Sequence, residues 1–333
     1  MLAPGMQLPA VVGASAPYQN TADMRTRGWE LSVNWRDQIG KVGYRVGFNL
    51  SDSQSKIVKY NSNESGILTS ALSNGSTFWN YYEGKDLGEI WGYEYDGFYT
   101  VDDFTDTSSW KLKEGVPSID GYNPRPGDVK FKNLMDDDRG TNMISSGDNT
   151  VSNPGDRKVI GNNTPRYLYG ITLGANFKGF DLNVFMQGTG KRDAWIANNL
   201  KFPLYSDFKF IALYKDLGNY WKPVDAANGD YTAANPNAEF PRIYGNYGNQ
   251  GSNYRQSDKY LSDASYFRIK NVTLSYTFPK AWITKASLSQ LKAFVSIENL
   301  ATFSSLPKGI DPETLSWNYP AFRTVSFGLN VTL

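Results

Sequence analysis

From Val325 the chain alternates without error: Val325, Phe327, Leu329, Val331 and Leu333 are apolar, while Ser326, Gly328, Asn330 and Thr332 are small or polar. Successive side chains of a strand point to opposite faces, so such a strand carries one apolar and one polar face. The same period recurs upstream. Trp29, Leu31, Val33 and Trp35 alternate with Glu30, Ser32 and Asn34, and Tyr44, Val46, Phe48 and Leu50 alternate with Arg45, Gly47 and Asn49. Further copies run through Tyr169 to Phe177, Phe180 to Met186, Val272 to Phe278 and Leu291 to Ile297, with Phe185 and Phe294 as apolar intrusions on the polar face. Each clean stretch is close to the roughly 9 to 11 residues a tilted strand needs to cross a bilayer. The pattern predicts an all-β fold: an antiparallel transmembrane β-barrel segment of about seven strands.

The strands are expected near residues 29–36, 41–59, 166–177, 180–190, 264–278, 289–303 and 321–333, within one region covering 1–333. Residues 60–165, 188–262 and 304–320 are rich in Asn, Gly, Asp, Ser and Pro and read as extracellular loops. Strand parity supports that assignment, because every short turn then falls on one side and the long segments on the other. An eighth membrane strand in Glu89 to Tyr99 would break the parity, so EIWGYEYDGFY is placed in a loop. Phe267 and Ile269 sit in the opposite phase from Val272 and Leu274, which predicts a β-bulge near Lys270-Asn271.

Composition narrows the chemistry. Cysteine and histidine are absent, which removes disulfides, thiolate or imidazole metal sites, and Ser-His-Asp or Cys-His catalysis. Basic and acidic residues nearly cancel, 34 against 33, so no electrostatic footprint for nucleic acid exists. No run of 18 apolar residues is present to make a membrane helix. Aromatic residues are abundant, with 9 Trp, 22 Tyr and 18 Phe, as interfacial girdles or sugar-stacking loops require. The opening MLAPGMQLPAVVGASAP lacks a secretory signal. An outer-membrane protein needs one, so the chain is expected to be the C-terminal piece of a longer protein.

Several segments, in order, resemble the SusC/RagA family of TonB-dependent outer-membrane transporters. They are RTRGWELSVNWRD at 25–37, GKDLGEIWGYEYDGFY at 84–99, PGDVKFKNL at 126–134, DRKVIGNNTPRYLYGITLGANFKGFDLNVFMQGTGKRDAW at 156–195, YFRIKNVTLSYTFPKAW at 266–282 and VSIENLATF at 295–303. The resemblance implies a barrel of about 22 strands filled by a plug, with this chain supplying the C-terminal seven or so. Plug and TonB box would then lie before Met1. It also implies a SusD-like surface lipoprotein as lid, TonB as energy source acting through the missing part, outer-membrane lipid around the wall, a glycan or peptide as cargo and no enzyme activity. Leu333 stands where such barrels often end on an aromatic residue.

Candidate site residues follow from this frame. Asp181, Asn183, Gln187, Glu298 and Asn330 fall on the polar side of the alternation and would face the lumen, lining a passage or hydrating the wall and packing the plug. Trp195, Tyr220, Trp221, Tyr247 and Tyr254 in the second long loop would stack on substrate or meet the lid, or would pack the loops together. Asp136 and Asp138 lie where related sequences often carry a calcium-loop-like run, but the spacing DDDRG departs from it and a solvated acidic loop fits better. No cofactor is expected, with calcium the one candidate. Two other readings stand beside the transporter: a soluble all-β carbohydrate-binding module and a passive porin or adhesin barrel.

Overall fold

The structure is a computed structural model and describes residues 2–4, 18–71, 77–119, 121–135, 143–196, 202, 215, 218–244, 252–284, 287–316 and 321–333. It divides into two compact units. One comprises Thr26–Gln54, Thr164–Ala194 and Asp263–Leu333; the other comprises Met1–Arg25, Ser55–Asn163 and Trp195–Ser262.

One antiparallel sheet contains seven strands: β1 (Ala22–Ile39), β2 (Val42–Tyr60), β3 (Arg166–Phe177), β4 (Phe180–Lys191), β5 (Tyr266–Thr277), β6 (Gln290–Ser304) and β7 (Thr324–Thr332). Their spatial order is their chain order. The sheet is open, since no pairing joins β1 to β7 among the described residues. β1 is much longer than the span 29–36 read from alternation. Main-chain pairing continues where the side-chain pattern fades, because the ladder needs only N–H and C=O groups. The chain reverses at Gly40-Lys41 and at Lys178-Gly179. Both residues of the latter turn have positive φ, 45° and 90°, the conformation that matches strand twist in a two-residue hairpin. Between β5 and β6, Pro279 leads into a one-turn helix, Lys280–Ile283.

Register carries the alternation across the sheet. Tyr44, Ala175, Leu182, Leu274, Val295 and Phe327 form one row, and Val46, Leu173, Val184, Val272, Ile297 and Val325 the next on the same face. Between them runs a row of opposite character on the other face: Arg45, Gly174, Asn183, Thr273, Ser296 and Ser326. Glycines on this polar face lie beneath larger neighbours. The Phe294 ring occupies the space that a side chain on Gly328 would need, which explains an apolar residue there: the ring covers a gap across the strand pair.

The bulge lies at Lys270. On β4 the neighbours Phe185 and Met186 pair with Asn271 and Ile269, leaving Lys270 as the extra residue. That insertion returns Phe267 and Ile269 to the face of Val272 and Leu274 and turns Arg268 onto the polar face.

The second unit holds short paired strands rather than structureless loop. Glu89–Tyr93 pairs with Arg157–Asn162, Tyr95–Phe98 with Val129–Phe131, and Thr69–Ala71 with Thr77–Trp79. Glu89 to Tyr99 is thus β-structured but outside the seven-stranded sheet. Small aromatic cores hold these pieces: Leu68, Tyr82 and Trp91 form one, and Tyr93, Val129, Phe131 and Ile144 another.

Candidate functional site

The apolar face of the sheet is exposed. Trp35, Phe180, Leu274, Phe303 and Val325 all lie open, and Phe327 is 81% exposed. A contiguous apolar surface of this extent does not suit water. Aromatic rows bound it. Tyr169 stacks with Phe267 at 6.5 Å, and Phe267 with Phe303 at 6.0 Å. Eight residues further along β3, Phe177 pairs with Phe180, whose ring lies 4.6 Å from Tyr276. Eight residues span about 27 Å along a strand, or about 20 Å across a bilayer at a 35–45° tilt. The apolar band of outer-membrane barrels, flanked by aromatic girdles, is about 25 Å tall. Only apolar residues fill the rows between on the three central strands: Ile171, Met186 and Ile269, then Leu173, Val184 and Val272, then Ala175, Leu182 and Leu274.

The opposite face is polar and contains all five of Asp181, Asn183, Gln187, Glu298 and Asn330 by register. Asn183 donates to Asp181 at 2.5 Å and accepts from Arg45, which reaches it across Gly174. Glu298 sits opposite Asn271 and Thr324, and Asn330 opposite Lys292. Gln187 donates to Glu313 at 2.9 Å.

Glu313 belongs to the strongest polar cluster on this face. Arg268 is 2% exposed. Its guanidinium donates to both oxygens of Asp311 at 2.9 Å, to Glu313 at 2.6 Å and to Thr302 at 2.9 Å. Lys270 adds a 3.0 Å bond to Glu313, and Arg192 donates to the carbonyls of Pro312 and Glu313. The segment Asp311 to Ser316, closed by its own bridge, is thereby fastened over the polar face. Burial alone would raise the Asp311 carboxyl, but the Glu313 amide and the Arg268 guanidinium outweigh it and hold the group below its ordinary 3.8. No periodicity marks DPETLS, and Arg268 enters the polar face only through the bulge. These residues escaped the sequence reading for that reason.

The loop aromatics pack instead of standing free. Tyr254 stacks on Phe202 at 4.7 Å, and Trp195 lies 5.7 Å from the same ring. Tyr220 joins this cluster with Phe240 and Tyr260. Trp221 is 6% exposed and its indole covers Gly127, whose φ of 90° and missing side chain allow the approach. Trp221 and Tyr254 are buried here, the arrangement of the second role the sequence allows them, packing the loops together, since burying such large rings holds short strands together. Trp195 and Tyr220 are half-buried. Tyr247, Asp136 and Asp138 lie outside the described residues.

A second hub was also unforeseen. Asp128 is fully buried and accepts from Tyr244 at 2.5 Å, from the Arg125 amide at 2.7 Å and from Asn253 at 3.1 Å. Burial pushes its carboxyl above the ordinary value, against these donors and Arg242. Asn253 in turn accepts from the Val129 amide at 2.8 Å, tying the hub to a strand.

No protein-family model matches the chain. TonB-dependent receptor P3 of Formosa agariphila is 28% identical over 345 residues, which cover 97% of this chain and 30% of that protein. TonB-dependent receptor SusC of Bacteroides thetaiotaomicron is 23% identical over 323 residues, covering 94% of this chain and 27% of that one. Among solved structures, the RagAB peptide transporter superposes with a TM-score of 0.65 at 20% identity, over 99% of this chain and 32% of the matched one. The chain spans about a third of the length of the relatives it matches. Its sequence over nearly its whole length and its seven-stranded antiparallel sheet identify it as a relative of the TonB-dependent receptors of the SusC/RagA type, carrying a part of their β-barrel.

Proposed function

We propose that this chain forms part of the wall and outer loops of a TonB-dependent transporter in the outer membrane of a Gram-negative bacterium. The transporter imports glycans or peptides together with a SusD-like surface lipoprotein. Residues 1–333 serve as the C-terminal part of its barrel, with 60–165, 188–262 and 304–320 outside the cell and the plug and TonB box supplied by the rest of the protein. The carrying observation is the sheet itself, with one girdled apolar face exposed and one polar face on which a loop is fastened. The apolar face meets lipid. The polar face, with Asp181, Asn183, Gln187, Glu298 and Asn330, fronts the passage, and the chain contributes binding and shape but no catalytic group. The exposed apolar face disfavours a soluble carbohydrate-binding module, and kinship with TonB-dependent receptors disfavours a passive porin.

The test is growth of the source bacterium on single glycans and peptides, with the full-length gene or its TonB deleted. Growth on at least one such nutrient should fail in both strains and return on complementation. Uptake that survives loss of TonB would overturn the transporter reading in favour of a passive pore.

A further inference from the structure

Within the unit built from the long loops, Tyr122, Asn123, Arg125, Arg242 and Tyr244 line a cleft of about 450 Å³. That is within the usual range for small-molecule sites. Two guanidinium groups border it. The Arg242 side chain lies 4.2 Å over the Tyr244 ring, and its Nε is 3.5 Å from Asp128. Its terminal nitrogens have no hydrogen-bond acceptor among the described residues. Arg125 spends one nitrogen on the Pro124 carbonyl at 3.0 Å and rests 5.9 Å from the Trp110 ring.

Among the described residues, the one acid beneath the cleft is already engaged. Asp128 accepts from Tyr244, Asn253 and the Arg125 amide, which leaves little capacity for an outside donor, and it is sealed from solvent. Tyr122 and Tyr244, with hydroxyls 3.2 Å apart, add polar edges beside their ring faces. Two cationic forks with spare donors, beside aromatic surface, are the chemistry that recognises a carboxylate on an otherwise weakly charged molecule.

We propose that this cleft binds a carboxylate carried by the imported molecule, so that the transporter prefers acidic cargo. The inference rests on the transport reading and narrows its substrate class. A carboxylate can come from a uronic acid in a glycan or from a peptide, and the experiment separates these sources.

The full-length receptor, purified in detergent, is titrated with two matched pairs of probes. One pair is a trigalacturonate and its carboxyl-reduced trimer; the other is an acidic tripeptide and its neutral amidated counterpart. In at least one pair the carboxylate member should bind at least about tenfold tighter, and the preference should weaken as salt rises. The pair that shows it names the source. Arg125→Gln together with Arg242→Gln should abolish the preference while the barrel keeps its heat-modifiable mobility on gels. Should that double variant misfold, Arg125→Lys and Arg242→Lys keep the charge without the fork and should still reduce it. Equal binding within both pairs, or a preference that every folded variant retains, overturns the proposal. Either result is independent of growth in the TonB deletion, so failure here is distinct from failure of the transport reading.

Discussion

Arg268→Ala in the full-length protein should release the Asp311 to Ser316 segment while leaving β4, β5 and β6 paired. Arg268 is nearly sealed and satisfies Asp311 with two bonds and Glu313 with one. Removing it strands the Asp311 carboxylate, whose side chain is 6% exposed. Breaking a buried pair in this way costs about 3–5 kcal/mol. Glu313 is 37% exposed, so water compensates it and the loss falls at the lower end of that range. About 3 kcal/mol corresponds to roughly a hundredfold in a local opening equilibrium. Amide exchange at Glu313 and Leu315, both bonded to Asp311, should accelerate by about that factor. Replacing Arg268 and Asp311 together by Met and Leu should recover much of it at Leu315, whose amide bonds the Asp311 main-chain carbonyl, because the uncompensated charge is gone. Unchanged exchange in Arg268→Ala would show that the cluster fastens nothing.

The same cluster sets a pH dependence. Asp311 is depressed in the folded state, so its contribution is fully present above the unfolded value of 3.8 and disappears as pH falls through the lower folded value. The segment should therefore stay fastened at neutral and mildly acidic pH and loosen only below about pH 4.

Val272→Arg should be the most damaging single change in the sheet, and Thr273→Arg one position away should be tolerated. Val272 lies in the middle row of the apolar band between Val184 and Ile297, while Thr273 lies on the polar face between Asn183 and Ser296. An arginine facing lipid near the midplane costs about 2–4 kcal/mol. On the polar face it replaces a hydroxyl in a surface that already carries Arg45. Folding into vesicles, followed by urea titration of each full-length variant, checks the difference. Equal stabilities would remove the distinction between the two faces.

These contrasts also show which parts of the molecule are legible in sequence. A strand with unlike faces writes its orientation into every second residue, so the seven strands and the phase shift at Lys270 can be read directly. The length of β1 cannot, because residues 22–28 pair through the main chain without alternating side chains. The loop unit is harder still. Its cores join Tyr93 to Ile144 and Phe202 to Tyr260 across long separations, with no period to announce them. Isolated aromatics such as Trp221 therefore look available for ligands when they are sealed. The same holds for Arg268 and Asp311, 43 residues apart, and for Arg125 and Arg242, which only the fold brings to one cleft.

Cysteine scanning of β7 tests most directly that this sheet is a membrane wall. The chain has no cysteine, so single cysteines at 325, 326, 327, 329 and 330, with any elsewhere in the full-length protein removed, report one position each in the outer membrane; Gly328 is left alone because the Phe294 ring fills the space beside it. A membrane-impermeant maleimide should label Ser326→Cys and Asn330→Cys but not Val325→Cys, Phe327→Cys or Leu329→Cys. Labelling of all five alike, or of the opposite set, would contradict the account.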